Sequence, residues 1–207
     1  MNTLIQKKFL HKREFEIYES KLRFKESRFG NESEIYIPFE NVLGSRSSFK
    51  KTEPWFVFIA LFFALLTILC IVWYFEDGDV EIEAPFIWGS ISLLFLYLAY
   101  KLKENSWRIA LVNNESIMMF RNNPNEEVVE GFFNNLIEKR NKYLLDNYGF
   151  LDKNLNYERQ FNNLEWLRLR NVLTIEEFEK KHQQLKTLFD ISSNHIGFGN
   201  LNNKTKK

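Results

Sequence analysis

The fold of this chain is decided by one apolar stretch within a charged sequence, WFVFIALFFALLTILCIVWYF at residues 55–75. Its 21 residues carry no formal charge, and fourteen of them are Leu, Ile, Val or Phe. At about 1.5 Å of rise per residue, a helix of this length matches a hydrocarbon core of about 30 Å. Each large apolar residue favours insertion by about 0.4 kcal/mol, so the stretch gains about 6 kcal/mol. We therefore predict a membrane-spanning helix here.

A second apolar stretch, APFIWGSISLLFLYLAY at residues 84–100, follows after a short loop. Pro85 lies in the first turn, where a helix tolerates a missing N–H. Lys101 can lengthen the span by extending its amine to the headgroup region. Because residues 76–83 allow only a tight connection, we predict an antiparallel membrane hairpin over residues 54–102.

The charges that flank the hairpin predict its orientation. The loop at residues 76–83 carries five acids and no base. Basic residues stay on the cytoplasmic side of a membrane. Both chain termini are therefore expected in the cytoplasm. The basic residues next to the two spans are Arg46, Lys50, Lys51, Lys101, Lys103 and Arg108.

Three further features of the sequence bear on its insertion signal, its cellular compartment and its partners. Residues 1–12 are basic and lack an apolar core, so we expect residues 55–75 to act as the insertion signal. Cys70 is the single cysteine and has no disulfide partner, in agreement with a cytoplasmic main body. With 28 basic against 27 acidic residues, no nucleic-acid partner is predicted.

Alternating polar and apolar residues predict strands before and after the hairpin. EFEI at residues 14–17 and KLRFK at residues 21–25 predict a β-hairpin with one register. Its predicted pairs are Ile17 with Leu22 and Phe15 with Phe24 on the core face, and Glu16 with Arg23 and Glu14 with Lys25 on the other face. Further strands are predicted at residues 34–37, 42–49, 107–112 and 116–120, and we expect the two halves to form one interrupted sheet.

A helix is predicted after the last strand. It should begin at Asn123-Pro124, with Asn123 as the cap, and end at Gly149 in a left-handed conformation. An apolar stripe at three- and four-residue spacing should pack on the sheet. The stripe comprises Val128, Val129, Phe132, Phe133, Leu136, Ile137, Tyr143 and Leu144.

This order of elements, with IPFENV at residues 37–42, resembles a bacterial pleckstrin-homology-like domain. The resemblance covers about residues 15–148 and implies a bent antiparallel sheet closed at one end by a C-terminal helix. The two halves would occupy residues 13–53 and 105–149, with the hairpin inserted between strands. The predicted class is thus an α+β membrane protein. No lipid-binding residue carries over from the family.

A sharper resemblance lies in LEWLRLRNVLTIEEFEKKHQQL at residues 164–185, which is similar to the SHOCT family of short C-terminal domains. Asn171 can take the left-handed geometry that ends a first helix, and Thr174 can cap a second helix with Glu177 as its reciprocal partner. The family usually has glycine in place of Asn171 and lysine in place of His182.

The predicted helical pair, residues 155–189, buries too little surface to fold alone, so it should dock on another surface or another copy. The resemblance implies oligomerisation. Residues 190–207 are rich in Asn, Ser, Gly and Lys and are predicted to be disordered. The candidate contacts to a partner are Leu164, Leu167, Leu173, Phe178 and Leu185.

Basic side chains suggest contact with anionic lipid headgroups, at about 1 kcal/mol for each residue near the surface. The candidates are Lys21, Arg23 and Lys25 on one strand face, and Lys50 and Lys51 where the chain meets the bilayer. However, the predicted register pairs Arg23 and Lys25 with glutamates, and topology accounts for Lys50 and Lys51. An ordinary solvated surface is therefore the favoured explanation.

No catalytic, metal-binding or cofactor-binding residue is predicted. His11, His182 and His195 lie in three segments without metal-ligand spacing, and no phosphate loop or nucleophile elbow occurs. The spans carry no ionisable residue, which disfavours a small oligomeric channel.

We therefore predict a non-enzymatic inner-membrane scaffold or adaptor. Its expected partners are the lipid bilayer and copies of itself or another membrane-associated protein. A membrane-surface sensor of anionic lipid is the alternative.

Overall fold

The computed structural model describes residues 1–9, 11–28, 30–76 and 81–189 and shows an α+β fold. Within these residues there are two antiparallel sheets and five α-helices. The first sheet has the order β1 (Thr3–Lys8), β2 (His11–Ile17), β3 (Lys21–Arg28) and β4 (Asn31–Pro38). The second has the order β5 (Val42–Lys51), β6 (Glu104–Leu111) and β7 (Ser116–Phe120).

The predicted register of the first β-hairpin is confirmed in the pairing of β2 with β3. Phe15 lies opposite Phe24 and Ile17 opposite Leu22, with the two phenylalanine rings 5.0 Å apart. β1 was not predicted. Its two buried side chains are Leu4 and Gln6, and a glutamine at a core position hides the alternation that marks a strand.

The prediction of one interrupted sheet is wrong, because the strands divide between two sheets. The chain passes from β4 to β5 through a short 3-10 turn at Phe39–Asn41. Phe39 and Val42, on either side of the crossing, are fully buried. The inner faces of both sheets thus share one core.

Helix α3 (Glu126–Tyr148) covers this core with the fully buried Val129, Phe132 and Leu136. Its predicted start is wrong by two residues. Asn125, rather than Asn123, caps the helix, and its side chain accepts a hydrogen bond from the Val128 N–H at 2.8 Å.

The end of α3 at Gly149 was predicted correctly in position but not in conformation. Gly149 has φ −97°, so it does not form the predicted left-handed cap. Close packing explains the glycine instead, because a Cβ there would lie 2.7 Å from the Leu145 carbonyl oxygen.

Helices α1 (Pro54–Glu76) and α2 (Glu83–Leu102) form an antiparallel pair long and apolar enough to cross a membrane. Their contact includes Ala60, whose carbonyl accepts a hydrogen bond from Ser92 Oγ at 2.8 Å. In the most apolar 18 residues of each helix, only 6% of the residues are buried, whereas the core helix of a soluble protein is mostly buried. Residues 77–80 of the predicted acidic loop lie outside the described residues.

Helices α4 (Tyr157–Leu169) and α5 (Ile175–Leu188) form the predicted helical pair. Asn171 has φ 56°, and Thr174 and Glu177 form the reciprocal capping box, so both predictions are confirmed. The pair packs on the C-terminal half of α3, where the Tyr148 and Trp166 rings lie 5.2 Å apart. We call the strands with α3, α4 and α5 the α+β body. The predicted disordered tail, residues 190–207, lies outside the described residues.

Candidate ligand site at the base of the apolar hairpin

The apolar hairpin grows directly out of two neighbouring strands. Two residues separate Lys51, the end of β5, from the first residue of α1, and Lys103 alone separates α2 from β6. Lys51 and Glu104 form the last pair of the β5–β6 ladder, so both helices leave from the same end of the sheet. Such short links leave the hairpin little freedom to rotate against the α+β body.

A cavity of about 310 Å³ opens at this junction, between the hairpin base and the nearby ends of β1, β2 and β3. We call it the basal pocket. Its volume is at the lower end of the range typical of small-molecule sites. Four Lys or Arg side chains against two carboxylates line it, which leaves two positive charges in excess. The charged and titratable lining residues are Lys8, His11, Arg28, Lys51, Lys101, Glu53 and Glu104.

Both carboxylates of the basal pocket have partners. Glu53 forms an ion pair with Lys51 at 2.7 Å. Glu104 accepts hydrogen bonds from Arg13 Nη1 at 2.9 Å and from Ser106 Oγ at 2.7 Å. Burial acts to raise the pKa of Glu104, but Ser106 and Arg13 outweigh it and the net pKa is lowered. Glu104 is thus held ionised.

The two basic groups from the first strands are partly withdrawn from water. Lys8 donates a hydrogen bond to the Lys103 carbonyl, and burial lowers the pKa of its amine. Burial, followed by the charge of Arg13, lowers the pKa of His11. His11 Nε2 lies 3.6 Å from Glu26 but has no hydrogen-bond partner within the described part of the chain. His11 thus contributes an imidazole to the wall of the basal pocket.

Aromatic and aliphatic side chains complete the wall of the pocket: Phe9, Phe56, Leu102 and Phe120. Phe120 is buried at 3% exposure and lies 4.1 Å below the Arg13 guanidinium. Phe9 is 58% exposed and has φ 50°, a left-handed conformation that is rare for an aromatic residue. This strained backbone holds an apolar ring outward at the pocket rim.

The predicted lipid contacts on β3 lie away from the basal pocket. With about 3.3 Å of rise per residue, Lys21 lies about 23 Å along the strand from Arg28, which lines the pocket. Arg23 pairs with Glu34 at 2.9 Å and with Glu16 at 3.1 Å. These contacts agree with the solvated-surface explanation of this strand face.

The remaining predicted lipid contacts are Lys25, Lys50 and Lys51, and one of them lines the basal pocket. Lys25 forms its ion pair with Glu32 at 2.9 Å, rather than with the predicted partner Glu14. Lys51 lines the basal pocket, whereas Lys50 is exposed and is not among the lining residues. Of the five predicted lipid contacts, only Lys51 therefore reaches the pocket.

The predicted partner contacts of the helical pair all lie in the interior. Each is at most 8% exposed, and they form one cluster with Leu144 of α3. The apolar face that the sequence assigned to a partner is covered by the chain's own α3. The five residues are Leu164, Leu167, Leu173, Phe178 and Leu185.

Sequence patterns did not point to Lys8, Phe9 or His11 as site residues. The basic run around them, at residues 7–13, was the available signal. Its location became visible only when the pairing of β1 with β2 placed Lys8 opposite His11 at the strand ends.

Two further findings concern metal binding and similarity to other proteins. Across the described ranges, no group of three or more His, Cys, Asp or Glu side chains is placed to hold a metal ion. No family model, curated protein or solved structure matches this chain. The two family resemblances therefore stay predictions.

Proposed function

We propose that this protein is a non-enzymatic integral membrane scaffold or adaptor. In this proposal the apolar hairpin crosses the inner membrane twice, and the α+β body lies in the cytoplasm against the bilayer. The body presents partner-binding surfaces at a fixed orientation to the membrane.

The main support for the proposal is that both helices of the hairpin connect directly to the paired ends of β5 and β6. Large apolar side chains point outward along both helices, with Phe75 80% and Tyr100 77% exposed. In water this surface would drive aggregation, whereas lipid would cover it. Since Lys51 and Glu104 pair at the root, a body attached in this way holds one tilt toward the membrane.

The family resemblances support the scaffold assignment without carrying it. Four strands, then three strands, then a helix over the shared core agree with a pleckstrin-homology-like arrangement. The left-handed Asn171 and the Thr174–Glu177 capping box agree with a SHOCT-like pair. Such domains serve as binding modules, but the fold by itself specifies no ligand.

A role of the helical pair in self-association would need its outer surface, because its inner face is filled by α3. Two large exposed side chains flank the turn between α4 and α5, Leu169 at 68% and Ile175 at 70% exposure. They are the apolar groups of the pair that a second copy could cover.

Membrane topology is tested with single cysteines in a Cys70→Ser background. Ser48 precedes α1 in the chain and Glu81 follows it, so cysteines at these two positions report on opposite faces of the membrane. A membrane-impermeant maleimide applied to spheroplasts should label the Glu81→Cys protein alone until the cells are lysed. Recovery of the protein in the detergent-free supernatant, or the inverse labelling pattern, would contradict the proposal.

Self-association is tested by crosslinking the full chain in native membranes. Truncation after Gly149 is unsuitable, because it would expose the α3 side chains that α4 and α5 cover. The double variant Leu169→Lys/Ile175→Lys should instead remove crosslinked species. Ile35→Lys, at a 45% exposed position on β4, is the matched control and should not. Crosslinking that survives the double variant would exclude this surface.

A further inference from the structure

We propose that the basal pocket binds the phosphate group of an acidic phospholipid. This inference rests on the proposed function, because it requires the hairpin base to lie at the membrane surface. It goes beyond a general attraction of basic residues to the membrane, since it assigns one site with a cationic side and an apolar side.

Charge is the first argument. The basal pocket combines cations from the α+β body, Lys8 and Arg28, with Lys101 from the hairpin. Four Lys or Arg side chains line the pocket against two carboxylates, and these carboxylates form their ion pairs with Lys51 and Arg13. Lys and Arg side chains are the usual protein partners of phosphate oxygens.

The position of the pocket selects a membrane ligand. Lys101 and Leu102 are the last two residues of α2, and Phe56 lies in the first turn of α1. A hairpin that spans the hydrocarbon core would place these residues at the headgroup level. The pocket would then open where the phosphates of the cytoplasmic leaflet lie.

The apolar wall argues for an amphiphile rather than a free phosphate ion. Phe56 and Leu102 continue into the apolar surface of the hairpin, so the acyl chains of a bound lipid could follow α1 and α2. Phe9 adds an exposed ring at the rim, held there by its left-handed backbone. A small soluble anion would gain nothing from these groups.

His11 brings a further polar group to the pocket wall. Its Nε2 is buried and lacks a hydrogen-bond partner within the described residues. Buried polar groups of this kind are normally satisfied by a ligand or by water. In the tautomer that carries its proton on Nε2, His11 can donate to a phosphate oxygen.

The test uses the full chain in dodecyl maltoside micelles, titrated with dioctanoyl phosphatidylglycerol and followed by native mass spectrometry and thermal shift. We expect one tightly bound lipid per chain. At about fivefold in affinity for each basic residue, Lys8→Gln/Lys101→Gln should weaken binding about 25-fold. Lys21→Gln/Lys25→Gln removes the same charge from β3 outside the basal pocket and should weaken binding less than twofold.

Folding of the variants is checked by their melting temperatures without lipid. If Lys8→Gln/Lys101→Gln fails to fold, Lys101→Glu replaces it, because Lys101 is exposed at the end of α2. It should weaken binding at least fivefold. Equal losses of lipid affinity in the pocket variant and in Lys21→Gln/Lys25→Gln, or no loss in either, would overturn the proposal.

Two further titrations identify the source of the phosphate. Dioctanoyl phosphatidylcholine and glycerol 1-phosphate should each bind at least tenfold more weakly than phosphatidylglycerol. Equal binding of glycerol 1-phosphate would assign the pocket to a soluble phosphate and overturn the lipid assignment. Because these titrations use micelles, their failure is distinct from failure of the labelling test of topology.

Discussion

The side chain of Gln6 pairs with the backbone of Phe120 as a neighbouring strand would. Gln6 Oε1 accepts a hydrogen bond from the Phe120 N–H at 2.8 Å, and Gln6 Nε2 donates to the Phe120 carbonyl at 2.7 Å. Gln6 is fully buried, and its Nε2 also donates to the Asn123 carbonyl at 2.5 Å. One side chain thus joins β1 of the first sheet to β7 of the second.

Replacement of Gln6 by leucine should destabilise the α+β body. The substitution keeps the size of the side chain but leaves the Phe120 N–H and carbonyl unpaired in the interior. We expect a loss of about 2–4 kcal/mol in the free energy of unfolding. Urea denaturation in detergent, followed by tryptophan fluorescence, measures it. Lys7→Gln, at the exposed neighbouring position, should change stability by less than about 0.5 kcal/mol. Equal midpoints for the two variants would disprove the role of the Gln6 bonds.

Leu164 and Leu169 distinguish the inner from the outer face of α4. Leu164 is fully buried between the helical pair and α3, whereas Leu169 is 68% exposed. Leu164→Ala should therefore lower the free energy of unfolding by about 2–5 kcal/mol and make α4 and α5 sensitive to protease. Leu169→Ala should leave both unchanged. If Leu164→Ala abolished crosslinking between copies without loss of stability, the interior assignment of this residue would be wrong.

Arg140 is fully buried, and its charge should not stabilise the fold. Nη1 donates to Asn141 and to the Arg170 carbonyl, but Nε and Nη2 have no partner among the described residues. Burial, with the charge of Arg170, lowers the pKa of Arg140 to about 10. We expect Arg140→Met to raise the free energy of unfolding by about 1 kcal/mol, because it removes a poorly compensated charge and keeps the packing stem.

The matched variant for Arg140 is Arg140→Ala, which removes the stem as well. It should lower stability by about 2 kcal/mol or more, because it leaves a cavity. Both variants are measured by urea denaturation at neutral pH. Destabilisation by Arg140→Met of more than about 1 kcal/mol would show that the bonds to Asn141 and Arg170 outweigh the burial of the charge.

His11 should make stability depend on pH in mildly acidic solution. Because burial lowers its pKa in the folded state, the unfolded chain binds more protons between that lowered value and about 6.5. The contribution of His11 to the free energy of unfolding is therefore fully present above about pH 6.5. It declines as the pH falls toward the pKa of His11 in the folded state. His11→Gln should remove this decline.

The measurement for His11 is the difference in unfolding free energy between the native chain and His11→Gln at several pH values. The native chain should lose stability relative to the variant as the pH falls from 7 to 5. A difference that is constant with pH, or that changes in the opposite sense, would contradict the burial of the imidazole.

Several features of the fold follow from neighbouring residues and could be predicted. The uncharged stretch at residues 55–75 anticipates α1 because length and composition suffice to recognise such a helix. The register that pairs Phe15 with Phe24 follows from the two-residue period of a strand. The capping box of Thr174 and Glu177 involves residues three positions apart.

The basal pocket could not be predicted in the same way. It brings together Lys8, Arg28 and Lys101, which are far apart in the chain and belong to three different elements. No local period relates such residues. Their approach depends on the β1–β2–β3 ladder and on the root of the hairpin in β5 and β6.

The sequence by itself determined the elements whose causes are local: the apolar hairpin, the first strand register, and the turn and cap of the helical pair. Only the tertiary structure decided that the strands form two sheets, that α3 covers the apolar face of α4 and α5, and that cations converge at the hairpin base. The physical reason is that hydrogen-bond geometry and side-chain periodicity act over a few residues. Burial and electrostatic contact depend on which distant surfaces meet.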